Sequence, residues 1–161
     1  MSNQDITVPI GRKFSEVFAF HEAGHALVAY HFGQKITEIN LTTLTPATTH
    51  TTIGSLADEV AVMALGGVGA QVIREWPAVS AVWKESREKL ARKRLDANTY
   101  DLRLYRRIAS PDNPETFEPH VLKAFGILEA NWAKVQILAA HLQTAGKVTS
   151  HAEFLTVLGE S

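Results

Sequence analysis

The strongest constraint on the fold is the pentapeptide H-E-A-G-H at residues 21–25, which lies within an apolar segment of helical character. Four residues of an α-helix advance by about 400°, so the two imidazoles would lie only ~40° apart, one turn along the same face. Apolar residues flank the motif, among them Phe20, Leu27 and Val28. Buried imidazole and carboxylate groups are costly unless they are paired or bind a metal. The motif could also arise by chance on a solvent-exposed polar face, but the apolar residues on both sides of it argue against that interpretation.

Two histidines with this spacing can bind one metal ion, and zinc is the usual ion in such sites. Glu22 would stand beside the metal as a general base and take a proton from a zinc-bound water. Because the chain has no cysteine, all protein ligands must be nitrogen or oxygen atoms. The motif therefore predicts a zinc hydrolase, with a peptidase as the first hypothesis, in which His21 and His25 bind the metal.

The composition is that of one globular domain. The chain has 161 residues, of which 45% are hydrophobic and 20% charged, and its net charge is -1. We predict a single domain over residues 1–161, with residues 1–11 as an N-terminal arm. The net charge gives no indication of a nucleic-acid partner, and the basic stretch from Lys84 to Arg107 is expected to be a solvated surface. Without a signal-peptide h-region or an apolar run of ~18 residues, we expect a cytoplasmic protein with no membrane span.

The apolar periodicity predicts a mainly α fold with a small β element (α+β). Helices are expected at about 12–31, 55–74, 80–95, from 99 onward, 119–145 and 150–158, and strands at 35–43 and 48–53. Either strand, at the edge of a sheet, would be able to hold an extended peptide by backbone hydrogen bonds. In the helix at 80–95 the residues expected to pack inward are Val82, Trp83, Leu90 and Leu95.

Two local signals within these helices make more specific predictions. Capping boxes of the form Ser-x-x-Asp/Glu begin at Ser55 and Ser150, and each predicts the start of a helix. Gly66, Gly67 and Gly69 stand inside a predicted helix, where each glycine costs ~1 kcal/mol relative to alanine. Such glycines indicate a close approach of another backbone, for which the motif helix is the expected partner.

The third protein ligand of a tetrahedral zinc site is less clear from the residues alone. His31 follows His25 with the spacing of H-E-x-x-H-x-x-G-x-x-H, but Val28 stands where that pattern requires glycine. If the helix continues, His31 points about 120° away from His25. Glu59 and Asp101 both lie in the first turn of a predicted helix, where the helix dipole already favours a carboxylate. The third ligand therefore stays open among these residues.

Three segments are similar to those of one known family. Residues 21–28 read H-E-A-G-H-A-L-V, residues 60–71 read V-A-V-M-A-L-G-G-V-G-A-Q, and residues 97–102 read A-N-T-Y-D-L. They resemble, in the same order, the H-E-A-G-H-A-L-V, I-x-V-x-L-G-G-R-A-A-E and G-A-x-N-D-L segments of the peptidase domain of FtsH-type ATP-dependent zinc proteases. The resemblance extends over residues 14–158. It implies a helical bundle like that peptidase domain, with a zincin-type active-site helix.

The resemblance also implies the site. It implies that His21, His25 and Asp101 bind Zn²⁺, with Asp96 as the alternative to Asp101. It also implies that Glu22 activates the zinc-bound water, and that the reaction is hydrolysis of peptide bonds in unfolded or flexible polypeptides. The chain has no ATPase P-loop. A separate ATPase or unfoldase partner and a homo-oligomeric ring are implied by analogy with the family.

The chain departs from the family pattern at the residues that follow the glycine pair. Val68 and Gln71 stand where the family has Arg and Glu, so a neutral amide replaces a carboxylate that would tune the metal. A shared fold does not guarantee a shared activity. The second hypothesis is therefore a catalytically inactive, zinc-stabilised protein-interaction domain derived from a peptidase.

Overall fold

The computed structural model describes residues 14–76 and 81–160, with the side chains of residues 81–86 outside the description. The predicted arm at residues 1–11, the predicted helix start at Arg12 and the predicted packing of Val82 and Trp83 therefore lie outside the described part. Within it, the chain forms eight helices and a three-stranded antiparallel sheet. The prediction of a mainly helical fold with a small β element is confirmed.

The helices are α1 (Glu16–His31), α2 (Ala57–Ala64), α3 (Gly66–Glu75), α4 (Ala81–Ala97), α5 (Thr99–Arg106), α6 (Pro114–Ala130), α7 (Trp132–Ala145) and α8 (His151–Leu158). The strands are β1 (Ile36–Asn40), β2 (Ala47–His50) and β3 (Lys147–Val148). None of the helices in the described ranges combines the length and apolar character needed to cross a membrane.

Helix α1 carries the pentapeptide and lies at the centre of the fold. Ser15 caps its N-terminus by accepting a hydrogen bond from the Phe18 backbone N–H. The chain leaves the helix at Gly33, which has a left-handed φ of 79°, as a helix-terminating glycine should. Between these ends α1 is buried against α3 and α7. The motif therefore lies on a buried helix rather than on a solvated face.

Glycines allow α1 and α3 to cross in backbone contact. A Cβ atom at Gly24 would lie 2.2 Å from the Gly66 carbonyl oxygen, and one at Gly66 would lie 2.7 Å from the Gly24 oxygen. The predicted close approach of the glycine-rich segment to the backbone of the motif helix is confirmed at Gly66, whereas Gly67 faces the His21 side chain of that helix. Gly69 differs, because it faces α6, where an added Cβ would lie 2.9 Å from a Leu128 methyl carbon.

The sheet has the strand order β2-β1-β3, so β1 is its interior strand. A register shift between Ile36 and Glu38 marks a β-bulge. The bulge interrupts the expected alternation, and Ile36 and Ile39 are both buried. Strand β3, which pairs with β1 through Val148 and Lys147, was not predicted. The sheet edge that can bind a peptide beside α1 is therefore β2, not β1.

Two predicted long helices are each divided in two. The segment 55–74 forms α2 and α3, which meet at Leu65. The segment 119–145 begins earlier, at Pro114, and is interrupted at Asn131 between α6 and α7. Asn113 caps α6 and Pro114 occupies its first turn, where a missing N–H has no cost.

The two predicted capping boxes have different outcomes. The Ser150 hydroxyl accepts from the Glu153 backbone N–H at 3.1 Å, so this cap is confirmed. The prediction for Ser55 is wrong, because its hydroxyl accepts a hydrogen bond from Gln34 Nε2 instead. At the start of α2 the Glu59 carboxylate accepts from the Leu56 backbone N–H at 2.8 Å. The N-cap of this helix is therefore Leu56, one residue later than predicted.

Helix α4 has the predicted division between packed and charged residues where its side chains are described. Leu95 is buried and Leu90 is partly buried against the core. Arg92 and Arg94 form ion pairs with acidic residues, Arg92 with Asp96 and Arg94 with Glu75. Exposed pairs of this kind contribute little to stability, at about 0–1 kcal/mol each. The positive charges of Arg92 and Arg94 are nevertheless paired with carboxylates of the same chain.

Candidate metal centre

Three ligand atoms from two helices converge at one buried point. His21 Nε2 and His25 Nε2, one turn apart on α1, lie 3.1 Å from each other. Asp101 Oδ2, from the first turn of α5, lies 2.9 Å from His21 Nε2 and 3.0 Å from His25 Nε2. The three residues are at most 8% exposed. Within the described ranges, these three residues form the group that could hold a metal ion.

Hydrogen bonds on the far side of each ring set the orientation of the two histidines. His25 Nδ1 donates to the Met63 carbonyl oxygen at 3.0 Å, and a carbonyl can only accept. His21 Nδ1 donates to Gln71 Oε1 at 2.6 Å. With Nδ1 of each ring used as a donor in this way, loss of the Nε2 proton leaves a lone pair directed at the point where the three ligand atoms converge, as metal-binding histidines require. Gln71 lies where the resemblance places the substituted carboxylate.

The separation of these atoms fits a small tetrahedral cation. With metal–ligand bonds of about 2.0–2.1 Å and tetrahedral angles, ligand atoms lie ~3.3 Å apart. The observed separations of 2.9–3.1 Å require each side chain to move by only a few tenths of an ångström. Two imidazoles and one carboxylate would leave the fourth position of a tetrahedral ion open.

The charge balance of the cluster also favours a cation. Burial of the His25 ring opposes its protonation, but the adjacent Asp101 carboxylate and the charge of Glu22 outweigh burial and raise the pKa of His25 to about 9. Burial likewise opposes ionisation of Asp101, yet the positive charge of His25 and hydrogen bonds from both histidines hold the pKa of this carboxyl well below its usual range. The metal-free cluster therefore retains a proton where a metal ion would be bound.

This proton predicts a pH dependence of stability in the metal-free protein. Since the pKa of His25 rises from 6.5 in the unfolded chain to about 9, the folded state binds this proton more tightly. The resulting stabilisation is complete below pH 6.5 and is lost as the pH rises toward 9. Urea unfolding of the chelator-treated protein between pH 6 and pH 9.5 should show falling stability. The His25→Gln variant should lack this slope, and a flat profile in the unsubstituted protein would contradict the assignment.

The alternative ligands lie elsewhere. His31 is exposed at the end of α1, with its ring against Phe32. Glu59 accepts from the backbone N–H of Leu56 at the start of α2. Asp96 is exposed and pairs with Arg92 at 3.2 Å. Of the four residues considered from the sequence, the fold brings Asp101 alone to the histidine pair.

The remaining motif residue, Glu22, is buried beside the cluster. Its Oε2 accepts a hydrogen bond of 2.6 Å from the Thr48 hydroxyl on β2. The other carboxylate oxygen, Oε1, has no hydrogen-bond donor among the described residues. Glu22 is also close enough to His25 to raise the pKa of that imidazole. The sheet edge thus orients one oxygen of Glu22 and leaves the other able to take a proton.

A cleft of about 560 Å³ extends over the cluster and is lined by Glu22 and all three ligand residues. Strand β2 and the loop before it contribute Thr45 to His50, and apolar side chains from α2 and α5 include Met63 and Leu104. Burial lowers the pKa of His50, while the hydrogen bond from its Nδ1 to the Thr51 oxygen opposes this effect. Strand β2 therefore forms one wall of the cleft.

Gly67 provides the space that His21 needs. A Cβ atom at position 67 would lie 2.4 Å from His21 Nε2, the ligand atom itself. We expect Gly67→Ala to displace the imidazole and to weaken zinc binding by at least about tenfold, as loss of ligand orientation does. A chelator-competition titration measures the affinity. The matched control is Gly126→Ala in α6, where an added Cβ meets nothing within 4 Å; unchanged zinc binding in Gly67→Ala would contradict this account.

Several groups at the site were not predicted from the sequence. The Met63 carbonyl is a backbone atom, so no side-chain pattern identifies it. Thr48 belongs to a predicted strand, and Asn98 precedes a predicted helix, but neither pattern places them at the metal cluster. Asn98 caps α5 by accepting from the Asp101 backbone N–H at 3.1 Å. This cap fixes the first turn of α5 and therefore the position of Asp101.

The sequence matches no protein-family model and no curated protein. Functional inference therefore depends on the buried cluster, on the cleft above it and on the motif resemblance.

Proposed function

We propose that the protein is a zinc-dependent metallopeptidase that hydrolyses peptide bonds in unfolded or flexible polypeptides. The observation that supports this most strongly is the buried His21–His25–Asp101 cluster at the base of a cleft that Glu22 also lines. A structural metal site has no need for the additional carboxylate. The resemblance to FtsH-type proteases supports the same activity, and we propose membership of that class of peptidase.

His21, His25 and Asp101 would hold the zinc ion through Nε2, Nε2 and Oδ2. When bound, Zn²⁺ supplies a Lewis acid that lowers the pKa of water and polarises a carbonyl group. The hydrogen bonds from Nδ1 of each histidine keep the rings in the tautomer that binds a metal. Because Gln71 is neutral, the His21 ring lacks the negatively charged acceptor that often supports a metal-binding histidine.

Glu22 would act as general base and then as general acid. Its Oε1 takes a proton from the attacking water as the water oxygen forms a bond to the carbonyl carbon. When the C–N bond breaks, the same carboxyl returns the proton to the leaving amine. Thr48 holds Oε2 throughout by a hydrogen bond of 2.6 Å, so the carboxyl does not rotate between the two transfers.

Strand β2 would align the substrate. It lies at the edge of the sheet and lines the cleft beside the cluster. A polypeptide in extended conformation can add to such an edge through backbone hydrogen bonds, with alternate side chains directed toward the cleft. A folded segment presents no free backbone for this purpose. Substrates are therefore short peptides, flexible tails or chains presented by a separate unfoldase.

Chelator-sensitive hydrolysis of unfolded casein tests the proposal. The zinc-loaded protein should release peptides, a strong chelator should abolish the release, and added zinc should restore it. A protein that binds zinc and gains thermal stability from it but releases no peptide would instead be the non-catalytic interaction domain.

A further inference from the structure

Asn98 lies beside the metal cluster but has no role in the proposed mechanism. It is the N-cap residue of α5, and its Oδ1 accepts from the Asp101 backbone N–H at 3.1 Å. Its Nδ2 lies 3.2 Å from His21 Nε2, and the residue lines the cleft. The side chain of Asn98 therefore contacts two of the candidate metal ligands. Its oxygen contacts the backbone of Asp101, and its nitrogen contacts the ligand atom of His21.

The cap determines which end of the amide faces the cluster. The Asp101 N–H can only donate, so the oxygen of Asn98 must point toward it and the NH₂ group must point toward His21. In the metal-free protein this NH₂ group lies 3.2 Å from His21 Nε2, the atom that donates to Asp101. With a metal bound, the lone pair of His21 Nε2 would be committed to the metal, so the N–H donors of Asn98 would have no acceptor on that ring. They have no lone pair with which to bind the metal themselves.

A hydrogen-bond donor at this position has a chemical use. Glu22 and Asp101, the carboxylates that line the cleft, accept hydrogen bonds, and the Nδ1 of His50 already donates to the Thr51 oxygen. When water attacks a peptide carbonyl, the electron pair of the C=O bond moves onto oxygen, and that oxygen becomes negatively charged. A neutral, fixed N–H group stabilises such charge better than mobile water does.

We propose that Asn98 is a catalytic residue that donates from Nδ2 to the oxygen of the scissile carbonyl as negative charge develops there. This rests on the proposed peptidase function. The hydrogen bond forms as the water oxygen bonds to carbon, and it weakens when the C–N bond breaks and the electron pair returns from oxygen. Asn98 itself gains and loses no proton, because Glu22 carries the proton from water to the amine.

The Asn98→Ser variant separates this role from capping. Serine is an equally good N-cap residue, so the Asp101 N–H keeps an acceptor, but the shorter side chain does not reach the cleft. We expect kcat for a flexible peptide to fall by about 10²–10³-fold, the usual effect of removing one oxyanion donor. KM and the zinc affinity should stay within about threefold. The affinity for a phosphinic peptide, whose tetrahedral anion resembles the transition state, should fall in parallel with kcat, as calorimetry will measure.

Thr99 supplies the matched control. It is the first residue of the same helix, it is exposed, and it is not one of the residues that line the cleft. Thr99→Val should leave kcat and phosphinic-peptide affinity within about threefold. If Thr99→Val shows the loss and Asn98→Ser does not, Asn98 is not the donor.

Two further outcomes would overturn the proposal. If the zinc affinity of Asn98→Ser falls as far as kcat, Asn98 only positions Asp101. If kcat and phosphinic-peptide affinity are unchanged while the unsubstituted protein cleaves, the peptidase function stands and the role of Asn98 falls. Absence of zinc-dependent cleavage by the unsubstituted protein would reject the peptidase function itself, before any variant is compared.

Discussion

Glu22→Gln is expected to reduce peptide cleavage by about 10²–10⁴-fold, the range for loss of a general base, while zinc remains bound. Glutamine has the same shape and can still accept from the Thr48 hydroxyl, which contacts Oε2 at 2.6 Å. It cannot take a proton from water, so the first proton transfer has no base. The measurements are kcat for a flexible peptide and the zinc content of the purified variant.

The matched control for this substitution is Glu38→Gln, an exposed position on β1, which should leave cleavage unchanged. Full activity in Glu22→Gln would rule out Glu22 as the base. Loss of zinc together with activity would show instead that Glu22 holds the metal.

Asp101→Asn is expected to weaken zinc binding by more than about 100-fold, since even substitutions that only disturb ligand orientation cost 10–100-fold. The variant keeps the size of the side chain but removes the negative charge that lies 2.9 Å from His21 Nε2 and 3.0 Å from His25 Nε2. It should also lower the pKa of His25, because Asp101 is the main group that raises it. Zinc affinity is measured by competition with a chromophoric chelator.

Asp96→Asn and Glu59→Gln test the specificity of that result. Both residues were alternative ligands from the sequence, and both lie outside the cluster, so each variant should bind zinc like the unsubstituted protein. A large loss in either variant, with Asp101→Asn unaffected, would place the metal elsewhere.

The helix that carries the site was predictable because its signals are local. Residues 21–25 have helical spacing, and their apolar neighbours indicate burial, which the low exposure of His21 and His25 confirms. The glycines at 66 and 67 predicted a close approach to the motif helix because each has a cost inside a helix; Gly66 meets the backbone of α1, and Gly67 makes room for the His21 ring. Asp101 came from a resemblance, since it stands 76 residues after His25 and no spacing rule connects them.

The features that were missed depend on tertiary contacts. Strand β3 has two residues, too few for any alternation, and it exists because Val148 and Lys147 pair with β1. The break at Leu65 lets α3 turn so that Gly66 meets Gly24, and the apolar pattern continues across it. The bulge in β1 similarly follows from pairing with β2. Each of these features depends on contact with another element of the fold, so the local sequence alone does not indicate it.

The decisive measurement is the rate of peptide cleavage by the metal-free protein as zinc is added in steps. If His21, His25 and Asp101 bind one catalytic ion, the rate should rise linearly with zinc and reach its plateau at one ion per chain. A protein that binds one zinc ion at this cluster and still cleaves no flexible peptide at any zinc concentration would contradict the proposed function.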